Sequence, residues 1–196
     1  MPDAHYHYLQ TETPLVTSSL KLDDQYYNQC IETAYELGDS QNKSTNVKSY
    51  SMTDYRVWTQ TNIYNKILDQ IMDIACDKAW RITRIPNEND NEALTIVNAW
   101  VAIYKSGDYC VEHHHGRSSI SFVYYLKTDD NSAPLIFPRS NWSFHPSEKE
   151  NLIFFGGYLP HAVSPHPDNA EDRIVLAGNM DIVSLDKLKT SGVYVD

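Results

Sequence analysis

The sequence predicts a mainly β fold, an all-β sandwich or barrel with helices ahead of it, and three observations carry that prediction. Near Leu94 the texture of the chain changes: apolar residues recur at helical spacing before it and fall into short β-rich runs after it. The breaks between those runs are KSGD, HGRS, TDDNSAP, GGYLP and PHPDNAED, all rich in Gly, Pro, Asn, Asp or Ser. A length of 196 residues with 41% hydrophobic residues suits one domain with a substantial core.

In chain order, Asp23 or Asp24 is placed to cap a first helix carrying Tyr26, Tyr27, Cys30, Ile31 and Ala34, with Gly38 as its stop. After a polar stretch, Thr61 or Asn62 opens a second helix in which Ile63, Ile67, Ile71, Ile74 and Ala75 form an apolar stripe. Such a stripe is core packing. Seven strands are then expected: LTIVNAWVAIY, DYCVEHHH, SISFVYYLK, PLIFP, ENLIFFGG, HAVSP and RIVLAGNMDI. This divides the chain into a helical support over residues 1–92, a β core over 93–183 and a tail over 184–196. The two helices are expected on one outer face of the β core.

Acidic residues outnumber basic ones 26 to 16, a net charge of −10 that argues against a nucleic-acid partner. No apolar run approaches the roughly 20 residues of a membrane-spanning helix, so no membrane partner is expected. The start, MPDAHYHYLQTETP, lacks a basic segment followed by an apolar one. Cys30, Cys76 and Cys110 are odd in number and widely spaced, which reads as three buried thiols in a reducing compartment. A cytoplasmic location is the expectation.

The chemistry concentrates in VEHHHGRSS. On an extended strand His113 and His115 point one way and His114 the other, so two imidazoles can reach one metal ion. A solvated His-rich loop is the bland alternative. His161 in FFGGYLPHAV opens a later strand, and Arg173 opens the next. Imidazole suits iron and zinc, and three ligands on one side of a metal leave positions open. A buried guanidinium needs an anion, and its fork matches a carboxylate. An open metal site beside an arginine suits a keto-dicarboxylate, chelating through one end and ion-paired at the other.

At this point the chain resembles the Fe(II)/2-oxoglutarate-dependent oxygenases, in the branch near the prolyl 4-hydroxylases and their bacterial and phage relatives. The similarity runs from about Trp100 to Asp181, through AIYKSGDY, HHHGRSSISFVYYL, APLIFPR, ENLIFFGGYLPHAVSP and RIVLAGN. It implies a double-stranded β-helix (jelly-roll, cupin-like) barrel, with Fe(II), 2-oxoglutarate and O2 used to hydroxylate a substrate and release succinate and CO2. His113 and His161 match the two metal histidines, and His115 stands where most relatives have Asp or Glu. Arg173 matches the residue holding the far carboxylate of 2-oxoglutarate, although Val175 replaces a small hydroxyl residue common two positions on. Tyr104 or Tyr125 is expected to assist it, and Asn179 shares the face of Arg173 by its even spacing. No catalytic residue beyond the metal ligands is implied. The substrate, a peptidyl proline, an amino acid or another small metabolite, is left open. So is the oligomeric state, a homodimer among the options. His5 and His7 are read as part of a frayed N-terminus, His145 and His166 as solvated loop residues. The four tryptophans are read as core or rim, with Trp142 a candidate for a loop over the pocket.

Two rivals remain at this stage. A cupin-type dioxygenase with three histidines and no 2-oxoglutarate fits the opening HxH, but positions 119 and 120 are Ser and Ile where a cupin offers Glu. The other rival is a non-catalytic barrel that only holds a ligand.

Overall fold

The computed structural model describes residues 4–8, 14–39, 45–79, 82, 91–116 and 119–188. Among them, twelve strands form two antiparallel sheets. In chain order the strands are β1 (Ala4–Tyr8), β2 (Pro14–Ser18), β3 (Val47–Lys48), β4 (Ser51–Met52), β5 (Glu92–Tyr104), β6 (Tyr109–His113), β7 (Ile120–Lys127), β8 (Leu135–Phe137), β9 (Trp142–Phe144), β10 (Leu152–Phe155), β11 (His161–Val163) and β12 (Arg173–Ser184). The larger sheet has the order β1-β2-β10-β7-β12-β5-β4, and the smaller β3-β6-β11-β8-β9.

Each strand expected after Leu94 is present, and most are trimmed at their turn residues. Strands β1 to β4 and β9 lie outside the expected set. The N-terminal segment that reads as frayed is an edge strand, its backbone paired with β2 from Ala4–Ser18 to Tyr8–Pro14. Strand β9 carries Trp142 into the small sheet, where its ring packs on Phe137 at 5.5 Å rather than lying over a pocket in a loop.

Helix α1 (Asp24–Glu36) starts as expected, with Asp23 Oδ1 accepting from Tyr26 N at 2.9 Å. Gly38, just past its end, has φ +68°, a conformation that glycine adopts without strain. Helix α2 (Asn65–Ile74) begins later than the expected Thr61 or Asn62. Thr61 Oγ1 accepts from Ile63 N, and Asn65 N donates to Asn62 O, so a turn occupies that stretch. The helix runs on as a π turn over Ala75–Ala79.

Two cores follow from strand alternation. One face of the larger sheet, with Ile96, Val101, Ile103, Phe122 and Leu176, packs against Cys30 and Ala34 of α1 and Ile67, Leu68 and Ile71 of α2. The other face, with Tyr104, Val123, Tyr125 and Val175, meets Cys110, Leu135, Phe137 and Val163 of the smaller sheet. The helices therefore cover one outer side, as expected, and the functional residues point between the sheets. Cys30 and Cys110 are buried, but Cys76, expected to be buried, is exposed on the π turn. His166, expected in solvent, is 2% exposed; it bonds the Glu171 carbonyl through Nε2 and accepts from Ala133 N at Nδ1. No helix among the described residues is long and apolar enough to cross a membrane.

Candidate metal centre

His113, His115 and His161 meet between the sheets, with one ligand nitrogen from each, all within 4.8 Å of one another. His113 on β6 and His161 on β11 are direct cross-strand partners, and their rings lie 4.3 Å apart. Register on β6 needs a correction to simple alternation. Val163 pairs with Cys110 and His161 with His113, so Ala162 alone on β11 faces both Val111 and Glu112 on β6. This bulge lets Cys110 and His113 both face inward. Glu112 faces outward by alternation from His113, and its carboxylate accepts from Arg139 Nε and Nη2 at 3.2 and 3.1 Å. Past the end of β6, His115 N donates to Gly157 O at 2.8 Å, which ties that backbone to the loop before β11. The His115 ring lies 5.0 Å from His113 and 5.1 Å from His161. His114 is exposed, its Nδ1 accepting from Gly116 N.

The tautomers follow from the carbonyls. His113 Nδ1 lies 2.9 Å from Val111 O, and His161 Nδ1 lies 2.8 Å from Leu159 O. A carbonyl can only accept, so both Nδ1 atoms donate and both Nε2 atoms are left as bare acceptors for a metal. Cys110 Sγ lies 3.4 Å from His113 Nδ1, and burial pushes this thiol up to about 12. Burial also pulls His161 down to about 3 and His115 to about 4, with the neighbouring imidazoles adding to it. His113 is lowered for the same first reason. All three are neutral near pH 7, the form that binds metal.

The same cavity is lined by Arg173, Tyr104, Val175, Trp100 and Ser121. Arg173 is 1% exposed, and its Nε and Nη1 have no hydrogen-bond partner among the described residues. Its guanidinium carbon sits 4.8 Å from the centre of the Tyr104 ring and 5.1 Å from that of Tyr125. Tyr125 Oη is likewise buried, with no partner at hydrogen-bond geometry among the described residues. Burial raises both phenols, and the guanidinium only partly offsets this. Asn179 shares the inward face of β12 but not this cluster; it bonds Ser121 and Asn98 instead. Sequence reasoning missed Cys110, Ser121 and Asn98 as site residues, and read Trp100 only as core or rim. Alternation from Tyr104 along β5 was the available signal for Trp100 and Asn98. No signal existed for Cys110, because the bulge is not written in the residue pattern.

No protein-family profile matches the chain, and no curated protein matches it. Solved structures do. The viral collagen prolyl hydroxylase of Paramecium bursaria Chlorella virus-1, as its 2OG complex, aligns with a TM-score of 0.57 at 20% identity, over 81% of this chain and 91% of that one. A Pseudomonas putida prolyl-4-hydroxylase aligns at 0.57 and 16% identity, over 85% and 91%. HygX from Streptomyces hygroscopicus, with nickel and 2-oxoglutarate bound, aligns at 0.56 and 8%, over 85% and 82%. Two antiparallel sheets facing each other, helices on one outer side and this likeness together establish that the chain has the double-stranded β-helix fold of the 2-oxoglutarate oxygenases.

Proposed function

We propose that the chain is an Fe(II)- and 2-oxoglutarate-dependent dioxygenase that hydroxylates a substrate, with release of succinate and CO2. The observation that carries this reading is Arg173, buried with Nε and Nη1 open in a cavity that also holds three neutral imidazoles. A desolvated guanidinium is costly unless an anion meets it, and a carboxylate matches its fork. Tyr125 Oη, also open, adds a donor for the same carboxylate. His113, His115 and His161 would hold the iron on one side and leave the other side open to the keto acid and O2. Bound iron and 2-oxoglutarate supply the oxidising chemistry. The protein's part is placement: Arg173 and Tyr125 fix the far end of the co-substrate, and Val123, Val175 and Ala177 line an apolar wall that excludes water. Three imidazoles leave the two charges of the metal uncompensated, one more than a site with a carboxylate ligand, which favours a dianionic co-substrate. Solved neighbours that hold 2-oxoglutarate on this fold support the reading. A cupin dioxygenase that uses no keto acid gives the open arginine no role. A peptidyl proline, an amino acid and another small metabolite are the candidate substrates.

Anaerobic titration of Fe(II) and then 2-oxoglutarate tests this directly. A weak visible charge-transfer band that saturates with 2-oxoglutarate is expected. Iron binding without any such band would favour the cupin reading, and no iron binding would leave only a ligand-holding barrel.

A further inference from the structure

The register of β5, β12 and β7 sorts their inward side chains into rows. Tyr104 lies beside Arg173, Ala102 beside Val175 and Tyr125, Trp100 beside Ala177 and Val123, and Asn98 beside Asn179 and Ser121. Neighbouring rows are two residues apart, about 6.5 Å, so the arginine row and the asparagine row lie about 20 Å apart. The His115 ring packs near Trp100, at 5.9 Å, which places the imidazoles beside the third row. Arg173 is 1% exposed at one end of the rows, and Ser121 and Asn179 are 2% and 3% exposed at the other, where Asn98 is half-buried. Ser121 lines the cavity of the three histidines, so a second ligand bound beside them meets the asparagine end.

That end is polar in an otherwise apolar wall. Ser121 Oγ donates to Asn179 Oδ1 at 2.7 Å, and Asn179 Nδ2 donates to Asn98 Oδ1 at 2.8 Å. Ser121 and Asn179 are buried, Asn98 is half-buried, and Ser121 lines the same cavity as the three histidines. A buried polar row adds nothing to packing that apolar residues would not add more cheaply. Among the described residues the chain of hydrogen bonds is open at both ends. Asn98 Nδ2 keeps its hydrogens, and Ser121 Oγ keeps its lone pairs. Reversing the Asn179 amide exchanges the roles of the two ends and still leaves one donor and one acceptor.

We infer that the Ser121–Asn179–Asn98 row is a substrate subsite for an uncharged carboxamide, one end of the row accepting its N–H and the other donating to its C=O. That the ligand of this subsite is the substrate rests on the oxygenase reading. A carboxylate fits worse, because it offers no N–H and would meet Asp181, the next residue on that face of β12, whose Oδ1 accepts from Ser119 N and Oγ.

Saturation-transfer NMR with the full chain tests it, using N-acetylglycinamide and its acid N-acetylglycine as probes. The amide is expected to bind wild type and the acid to bind at least threefold more weakly. Ser121→Ala and Asn98→Asp should each weaken the amide by about threefold to tenfold, the range for one neutral hydrogen bond. Ser121→Thr, which keeps the hydroxyl, should restore binding, and unchanged melting temperatures would show that the fold is intact. No amide binding to wild type, preference for the acid, or wild-type binding by both variants overturns the inference. Failure of wild type to bind 2-oxoglutarate would instead sink the oxygenase reading and leave the amide result standing by itself.

Discussion

Val111 O and Leu159 O act on His113 and His161 in the same way: each takes the Nδ1 proton of the imidazole two residues later and leaves Nε2 for a metal. His115 has no such carbonyl among the described residues, and its ring packs near Trp100 and the two neighbouring imidazoles. Burial lowers all three from the usual histidine value, His115 to about 4 and His161 to about 3. The sign of the linked stability follows. In the metal-free protein the unfolded chain takes up these protons near pH 6.5, whereas folded His115 and His161 resist until about pH 4 and 3. Stability from these groups is full above pH 6.5 and is lost as pH falls below it. Urea unfolding of the metal-free protein should show a flat midpoint from pH 8 to 7 and a steady fall from pH 6.5 to 4, with His115→Ala flattening part of that fall. A midpoint that rises on acidification would contradict the burial of the cluster. At this scale the sequence was informative: the three histidines and the arginine are distinctive in type and spacing. Cys110 and Asn98 are not, because nothing in a lone cysteine or asparagine marks its face.

Strand β6 shows what element-scale reasoning can and cannot reach. Period-two alternation separates His114 from its neighbours, and the structure turns His114 to solvent. The same rule run back from His113 would point Val111 inward and Cys110 outward, and the bulge reverses that. A bulge arises from pairing with β11, fifty residues away, so the local pattern does not contain it. Strands β3, β4 and β9 escaped for a related reason: two or three residues carry no period, and only the sheet edge they join defines them. The geometry of β6 gives a direct expectation. His113→Ala, His161→Ala and His115→Ala should each weaken Fe(II) binding by more than the roughly 10–100-fold typical of outer-shell changes. His114→Ala should leave it near wild type. Equilibrium competition against a chromophoric chelator measures both, and a large loss in His114→Ala with none in His115→Ala would require the triad to be redrawn.

At the scale of the whole molecule, the two cores divide the work. Helices α1 and α2 bury one face of the larger sheet, so its other face is free to carry an arginine end and a polar far end, facing the imidazole cluster held by the smaller sheet. The barrel was legible because helical and β-rich textures occupy separate stretches of chain, while the part of the first 92 residues that joins the sheets was hidden in short, polar segments. The division between ends makes the arginine the most exposed point of the account. If Arg173 seats the far carboxylate of 2-oxoglutarate, Arg173→Ala removes one partner of a charge-assisted pair, a change that typically costs about 2–5 kcal/mol. At about 1.4 kcal/mol per tenfold, the affinity for 2-oxoglutarate should fall about thirtyfold or more. Arg173→Lys keeps the charge without the fork and should fall in between. Isothermal titration of 2-oxoglutarate into the anaerobic iron-loaded variants is the decisive measurement. The account predicts that ordering, with iron affinity little changed; wild type that binds no 2-oxoglutarate, or an Arg173→Ala variant that binds it as tightly as wild type, would contradict it.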